Sequence, residues 1–570
     1  MKKITISISI SISMQHTTRE QEGPVLGVLA LSSNVILGFN KKKVPRKKFT
    51  ALHENIVFSV ASKKTKQNSD YYCVIQPDKW VSHEKYPFGN IVHLIGPVGY
   101  YDSELECLKI KHNIKWKPWK KFNVNINDYL LDLTPSRENL THLNTISIDP
   151  KGCEDIDDCI HYRKLQNGSV EIGIHISDVS SYIPVNSIMD REIQKRGQSV
   201  YLTCGRLDML PEDLAIHHCS LREGVSRRAF SVIFTMDIDT DTNNNHYNIT
   251  GTRFCKSTII NKKALSYEEA ETTDSFNIHD LYDIGKLMYN STKKQRTFLE
   301  PYDIHKMVEM FMVKTNSVVA KHLYTHHPKQ TILRTHRVLS KITNDSPHTD
   351  NSEDLSKVVK LMNAMKLENA EYTITPDNTF HEGLNEEFYT HFTSPIRRYL
   401  DIVIHRQLYS QLQSQSQSSS SNHTTIENTN VVSTDLCNQL NTSCRNIKKA
   451  ERESEILNIV YNLYDKGSIM DTYGYITFID DSTISIYISE FKTILKCSPF
   501  HHKIIDVIHY KSTNDTFTLF HKHNKDIFVT FKPLDKVKIQ IAIEMNTPNL
   551  KKKIIMKILD NTLINIMNDY

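Results

Sequence analysis

The chain has 570 residues, 39% of them hydrophobic, and a formal net charge of +5. That length exceeds one ordinary domain, and that apolar content supports packed cores, which excludes a wholly disordered chain. No run of 18 apolar residues occurs, so no membrane-spanning helix is expected.

The charge is unevenly placed. Basic runs lie at residues 41–48, at 109–121 with Trp116 and Trp119 interleaved, and at 551–553. Each alone reads as solvated surface, or for the first as a nuclear address; together they favour a nucleic-acid partner. The ten cysteines form no CxxC pair, so neither a zinc site nor a disulfide framework is expected. Free thiols and the absence of a secretory pattern predict an intracellular protein, cytoplasmic and/or nuclear. The first ten residues open like a signal peptide, but their apolar positions alternate with Ser and no cleavage site follows.

Residues 1–22 read as a flexible arm. From 23 to 113, short apolar runs at 25–28, 55–58, 71–75 and 90–94 are separated by turn residues, which predicts a small β-barrel. A connector occupies 114–139. Residues 140–465 mix strands and helices: Ile172, Ile174 and Ile176 alternate on one strand face, and 306–313 reads as a buried helix. Within this region, 411–432 is a Gln/Ser-rich stretch expected to form a loop, followed by a helix over 436–465 that Gly467 stops. Residues 466–560 are again β in pattern. Runs at 474–478 and 484–488 flank a turn at 480–482, and 536–544 alternates strictly, as in a five-strand OB-type barrel that binds single-stranded nucleic acid. The fold class is therefore multidomain α+β, a central catalytic domain flanked by barrels.

The most informative stretch is 149–158, which places Asp149, Asp155, Asp157 and Asp158 in one turn after a strand-like run. Four carboxylates this close repel unless cations sit among them, and hard oxygen donors suit magnesium. Two such ions clamp the attacking and leaving oxygens of a phosphodiester. The alternatives are a solvated acidic loop or a calcium loop. EF-hand spacing is absent, and four unpaired charges between apolar strands are costly.

A second constellation spans 389–406. Ser394 is placed to cap a helix with Pro395 as its first residue, which puts Arg397 and Arg398 in the first turn. Cations are unfavourable there, so a phosphate bound by backbone N–H groups and both guanidiniums is the functional reading. An ion pair of Arg397 with Asp401 is the bland one. A third stretch joins Tyr201, at a strand end, to Asp208-Met-Leu-Pro; a core tyrosine and a base or ribose contact are both open from the residues alone.

The motifs at 148–158, 173–180, 200–202, 208–211, 219–222, 252–261, 265–270, 308–312 and 389–406 occur in an order that resembles the ribonuclease II (RNB) family. They are most like its eukaryotic exosome-type members. The resemblance covers about 23 to 559. It implies an RNB catalytic domain between a cold-shock-like N-terminal barrel and a C-terminal RNA-binding OB barrel. It implies a hydrolytic 3′→5′ exoribonuclease that degrades single-stranded RNA to 5′-mononucleotides by two-metal in-line attack at the 3′-terminal phosphodiester. The cofactor is then Mg2+, with Mn2+ as the alternative, held by Asp149, Asp155, Asp157 and Asp158. Arg397 is then the contact to the scissile phosphate, Tyr201 packs at the 3′-terminal nucleotide, and Tyr267 and Glu309 clamp a nucleotide. Asp157 is the candidate for orienting the attacking water. The implied partners are single-stranded RNA and an RNA-degradation complex, with no membrane and a monomeric state. One cold-shock-like barrel is expected where the family often has two, without the PIN-type endonuclease domain of exosome-type members. The segments at 296–305 and 336–388 are short for the family, with 367–372 keeping a family-like helix.

Overall fold

The computed structural model describes residues 23–559 apart from 53–55, 65, 79–84, 115, 123–124, 130–135, 240–245, 294–300, 337–352, 366–367, 375, 377, 418–431, 481–482, 498–515 and 521–527. The arm expected at 1–22, Arg296, most of the Gln/Ser-rich stretch and residues 481–482 of the expected turn lie outside the described residues. The chain divides into two compact units: residues 1–111 with 460–468 and 542–555, and residues 112–459 with 469–541 and 556–570.

In the first unit, β1 (Val25–Leu29), β2 (Arg46–Ala51), β3 (Val57–Ala61), β4 (Tyr71–Pro77) and β5 (Phe88–Pro97) close a barrel in the order β1-β2-β3-β5-β4. Closure leaves no unpaired edge. Leu29, Phe49, Phe58, Val60, Cys73 and Ile75 fill the interior. Helix α1 (Tyr101–Lys111) carries Asp102 and Glu104 in its first turn and Lys109 and Lys111 in its last, as the helix dipole favours. Buried Glu104 accepts from the Tyr72 hydroxyl at 2.9 Å and the Gly99 N–H at 3.0 Å, and pairs with Lys553 at 3.0 Å. Those partners are what allow a carboxylate to be buried.

The second unit is built on β6 (Glu138–Asn139), β7 (Thr145–Asp149), β8 (Asp158–Lys164) and β9 (Val170–Ser177). After α2 (Ile188–Arg196) come the hairpin strands β10 (Val200–Leu202) and β11 (Gly205–Leu207). The long strands β12 (Ser226–Asp239) and β13 (His246–Ser266) complete a sheet of order β12-β9-β8-β7-β13-β6. β12 also pairs with β13, so the sheet curls back on itself. Ile172, Ile174 and Ile176 face one core together with Phe230, Val232, Phe234 and Met236, the period-2 pattern seen in the sequence. On the opposite face, His161 Nδ1 lies 2.7 Å from His175 Nε2, and His175 Nδ1 lies 2.7 Å from Ser231 Oγ. Gly173 makes this possible, since a Cβ there would sit 2.1 Å from His161 Cε1.

Helices α3 (Tyr267–Thr272), α4 (Ile278–Lys293) and α5 (Ile304–His326) follow β13. Asp303 caps α5 by accepting the Lys306 N–H at 2.8 Å, and Met307, Met310, Phe311 and Val319 are buried in the main core. Of the segment expected as a helix over 367–372, the described residues 368–372 are not helical: α6 (Glu353–Met365) ends before them. Residues 371–373 instead form β15 (Glu371–Thr373), paired with β14 (Leu333–Thr335). Asn441 holds this strand from both sides, receiving the Tyr372 N–H at 2.8 Å and donating to its carbonyl at 2.9 Å.

Helix α7 (Tyr399–Gln417) runs into the Gln/Ser-rich stretch, so 411–417 is helical instead of loop. Its buried Leu408 and Gln411 show why: packing on one face carries the helix past the polar composition. Helix α8 (Thr434–Asp465) follows, and Gly467 stops the chain at a φ of +111°. Beyond it lie β16 (Ile469–Ile479), β17 (Ile484–Ile488), β18 (Thr493–Cys497), β19 (Phe517–Phe520), β20 (Phe528–Phe531), β21 (Lys536–Ile543) and β22 (Ile554–Ile558). Where a closed barrel is expected, the described strands form a five-stranded sheet of order β18-β17-β16-β21-β22, half of a barrel, and a separate β19–β20 pair. Among the described residues no helix is long and apolar enough to cross a membrane.

Candidate active site

The acidic loop is the connection between β7 and β8. Asp149 ends the first strand and Asp158 begins the second, so the sheet fixes both backbones. Gly152 turns the loop at a φ of +82°. The loop is tied down at Ile156, whose N–H donates to Ser220 Oγ at 3.0 Å and whose carbonyl accepts the Leu221 N–H at 3.0 Å. The Asp157 carbonyl accepts the Ser177 N–H at 2.8 Å.

The four carboxylates meet different fates. Asp155 accepts from Arg206 at 2.5 Å, and Arg206 Nε lies 2.5 Å from Asp208. Asp157 is buried; its Oδ1 accepts the Ile396 N–H at 2.9 Å and its Oδ2 lies 3.6 Å from Arg397 Nε. Asp149 Oδ2 is buried without a hydrogen-bond partner. Burial pushes Asp149 up to about 6, with Asp155 adding to the shift and Ser147 opposing it. Burial, then the charge of Asp149, pushes Asp158 up to about 8. Burial also lifts Asp157 well above the usual carboxylate range, against Arg397 and the Ile396 N–H.

Arg397 reaches the loop through backbone pairing. The Ser199 N–H donates to the Arg397 carbonyl and the Tyr399 N–H to the Gly197 carbonyl, both at 2.9 Å. Gly197, at a φ of +77°, ends α2, and a Cβ there would lie 2.9 Å from Ser443 Oγ. The pairing corrects the expected helix start. Ser394 is not an N-cap and Pro395 is not its first residue: 395–397 form a turn, Arg398 bridges Gln198, and the helix begins at Tyr399. The Ser394 N–H is taken by Asp401 Oδ1 at 2.7 Å. Arg398 is corrected too. Its guanidinium is held by Asp401 through bonds of 2.9 and 2.8 Å, which leaves it anchoring the turn instead of facing a phosphate. The ion pair to Asp401 belongs to Arg398, and Arg397 is turned to Asp157.

The same pairing delivers Tyr201. The chain passes from 197–199 directly into β10, where Tyr201 faces Arg206 across the hairpin. The Tyr201 N–H donates to Glu451 at 2.9 Å and the Thr203 N–H to Ser454 Oγ at 2.9 Å, docking the hairpin on α8. Tyr201 is 46% exposed. Burial pushes the phenol up to about 12 against the field of Arg397, while Asp155 and Asp157 add to the rise.

Tyr267 arrives from the other side. Ser266 pairs with Asp149 in the parallel β13–β7 register and caps α3, so Tyr267 starts that helix beside the loop. Burial, then Asp149 and Asp158, pushes its phenol up to about 12. His305 stacks on its ring with centroids 3.7 Å apart and 19° between planes. Glu309, one turn further along α5, pairs with Lys306 at 2.6 Å. Asp149, Asp155, Asp157, Asp158, Arg397, Tyr201 and Tyr267 are thus brought together; Glu309 lies on α5, one turn beyond His305, where it pairs with Lys306. Arg206 and His305 are the residues that sequence reasoning missed. Period-2 register opposite Tyr201 signals the first, and the i−4 position relative to Glu309 signals the second.

Behind the loop, buried Asp178 pairs with Lys256 at 2.6 Å and Arg137 at 2.8 Å. Burial opposes its ionisation, but Lys256, His405 and Arg137 hold it well below the usual range. Its charge is satisfied structurally, unlike that of Asp149 and Asp158.

The donor set fits a hard divalent cation: oxygen ligands, one orphaned buried oxygen, and carboxyls that burial disfavours as anions. Among the described residues, no three His, Cys, Asp or Glu side chains converge as a complete ligand set, because Asp155 and Asp157 are turned to Arg206 and Ile396.

Residues 137–414 match the RNB domain, and 40–113 match the Dis3-like cold-shock domain 2 (CSD2). Exosome complex exonuclease RRP44 of Mus musculus is 30% identical over 486 residues, which is 73% of this chain and 49% of that protein. The RRP44 homolog A of Arabidopsis thaliana is 32% identical over 414 residues, 60% of this chain and 43% of that one. DIS3-like exonuclease 2 of Schizosaccharomyces pombe is 25% identical over 549 residues, 81% and 57%. The chain thus spans about half the length of these curated relatives. In fold it is similar to Mycoplasma genitalium RNase R (TM-score 0.71, 17% identity, 94% of this chain and 89% of that one). It is also similar to yeast Ssd1, a pseudonuclease (TM-score 0.68, 17% identity, 95% and 83%). The chain carries an RNB domain behind a Dis3-like cold-shock domain and is homologous to the RRP44 and DIS3-like exonucleases.

Proposed function

We propose that this chain is a magnesium-dependent 3′→5′ exoribonuclease that hydrolyses single-stranded RNA to 5′-mononucleotides, Mn2+ being the alternative ion. The observation that carries the reading is the meeting of Asp149, Asp157, Asp158, Arg397 and Tyr201, from separated segments, at one end of the sheet. The homology to named exonucleases supports the same reaction class.

Asp149 and Asp158 would hold the ion, and Asp155 and Asp157 would complete the set once turned from Arg206 and the Ile396 N–H. Bound there as the pair expected from the acidic cluster, magnesium would supply Lewis-acid stabilisation of the attacking and leaving oxygens. Arg397, half-exposed and held loosely at 3.6 Å from Asp157, is placed to offset charge on the phosphoryl oxygens. Asp157 orients the turn that presents Arg397 through the Ile396 N–H. Tyr201 offers an exposed ring on which the terminal nucleotide packs. On the N-terminal barrel, Phe39 is 63% exposed beside Lys41, Lys42 and Lys43, a pairing of ring and cations suited to a single strand. Single-stranded RNA is the substrate, and an RNA-degradation complex is the partner class. Acting alone, the chain works as a monomer.

The test uses 3′- and 5′-labelled single-stranded RNA with magnesium, comparing the wild type with Asp157→Asn. Release of 5′-mononucleotides from the 3′ end by the wild type alone supports the proposal. Tight RNA binding without release by either protein makes this a binding protein on a nuclease fold, as the likeness to Ssd1 allows.

A further inference from the structure

We propose that His305 is a positioning residue for the reacting end of the RNA, acting through the ring of Tyr267. The proposal rests on the nuclease reading and adds a residue to its site.

The Cα of Tyr267 is set by the sheet, because Ser266 is in register with Asp149 and caps α3 with a capping box. Its ring is not set in the same way. Among the described residues the Tyr267 hydroxyl has no hydrogen bond, so the plane of the ring depends on what lies against it. Tyr267 packs partly against the main core, and His305 lies on its ring, near parallel at 19° and 3.7 Å between centroids. The two residues come from the first turns of different helices, α3 and α5, and each helix start is fixed by a side-chain cap, Ser266 and Asp303. The stack therefore joins two rigid elements at the wall of the acidic site.

His305 is itself free to serve this role. Its side chain is 59% exposed, its Nδ1 lies 3.8 Å from Asp303, and it takes no part in the core. The fields of Asp149 and Asp158 reach the Tyr267 phenol, so the ring it steadies borders the carboxylates that hold the ion. A ring pair of this kind limits rotation about χ1 and χ2 of Tyr267 and presents one fixed surface to the sugar and base of the last nucleotide. Glu309, four residues on, shares the helix face of His305.

The experiment compares His305→Ala, His305→Phe, Tyr267→Ala and the Tyr267/His305 double alanine variant by single-turnover and steady-state RNA degradation, with RNA affinity measured separately in calcium. His305→Ala is expected to lower kcat about two- to tenfold, the range a stacked aromatic pair is worth. RNA affinity should stay within about twofold of the wild type, since the phosphate contacts that set it are elsewhere. His305→Phe should restore most of the rate, and in the Tyr267→Ala background the His305→Ala change should cost nothing more. A penalty of equal size in both backgrounds, or no rescue by Phe, overturns the proposal while leaving the nuclease reading intact. Failure of the wild type to release mononucleotides overturns the nuclease reading, and this proposal with it.

Discussion

Replacing Asp149 by Asn asks whether the acidic loop is a cation site kept at a cost to the fold. Burial lifts this carboxyl from 3.8 to about 6, with Asp155 adding to the rise and Ser147 and Arg397 opposing it. A group whose folded pKa lies above its unfolded value favours the fold below the unfolded value. That advantage is lost as pH rises through the folded pKa. At 1.36 kcal/mol per unit, the shift amounts to about 3 kcal/mol of stability given up above pH 6. Solvent reaching the partly exposed carboxyl reduces this to ~1–2 kcal/mol. Asn keeps the shape and cannot ionise. At pH 8 in EDTA, Asp149→Asn should therefore melt about 1–2 °C above the wild type, and near pH 4 the two should melt together. Magnesium at about 100 times its Kd should add ~2.7 kcal/mol to the wild type and little to the variant. RNA hydrolysis by the variant should fall by at least ~100-fold. Thermal melts at pH 4, 6 and 8, with magnesium or EDTA, read all but the last effect. A variant that melts below the wild type at pH 8 in EDTA, or that gains equally from magnesium, refutes the reasoning.

Arg206→Gln removes the guanidinium that neutralises Asp155 and Asp208. Manganese affinity measured by calorimetry should rise about five- to tenfold as Asp155 becomes uncompensated, while kcat falls because the Tyr201 hairpin loses its tie to the loop. Glu171 is depressed to about 2, first by its hydrogen bond from His161 and then, against burial, by Arg163. Its contribution is present above the unfolded value near 4.5 and disappears as pH falls through about 2. Urea titrations should then find Glu171→Gln weaker by ~1–2 kcal/mol at pH 7, a gap that closes toward pH 2. Gly173→Ala places a Cβ 2.1 Å from His161 Cε1 and 2.3 Å from its Nδ1. That clash should separate the His161–His175 pair and cost about 1–3 kcal/mol in the same titration.

Much of the site could be read from sequence because its chemistry is local. Four aspartates in ten residues need no tertiary information to be recognised as a charge problem, and the strands on either side follow from alternation. The closed N-terminal barrel and the 32-residue helix α8 were legible for the same reason, through period and punctuation. What was not legible depends on partners distant in the chain. Ser394 and Pro395 satisfy the composition of a helix start, yet Asp401 takes the Ser394 N–H and Gln198 draws Arg398 into a bridge. The local bond to Asp401 and the two long-range backbone bonds, Ser199 N–H to the Arg397 carbonyl and Tyr399 N–H to the Gly197 carbonyl, outweigh a capping preference worth about 1 kcal/mol. Residues 367–372 have helix-forming composition, and Asn441 of α8 fixes the far end of that segment as strand. Arg206 and His305 carry no motif at all; each matters only because of the ring or carboxylate that the fold sets against it.

The acidic loop is therefore four residues with three tasks. Asp155 is neutralised by Arg206 and ties the loop to the hairpin of Tyr201. Asp157 spends one oxygen on the Ile396 N–H and aims the other at Arg397, so it couples the loop to the turn before α7. Of the four, Asp149 and Asp158 have no ion-pair partner among the described residues, and the charge of Asp149 raises the pKa of Asp158. Substitution at Asp155 or Asp157 should accordingly disturb the placement of Tyr201 or Arg397 as well as the ion. Substitution at Asp149 or Asp158 should act on the ion first. Cation affinity and nucleotide placement, measured on the same four variants, separate the two groups.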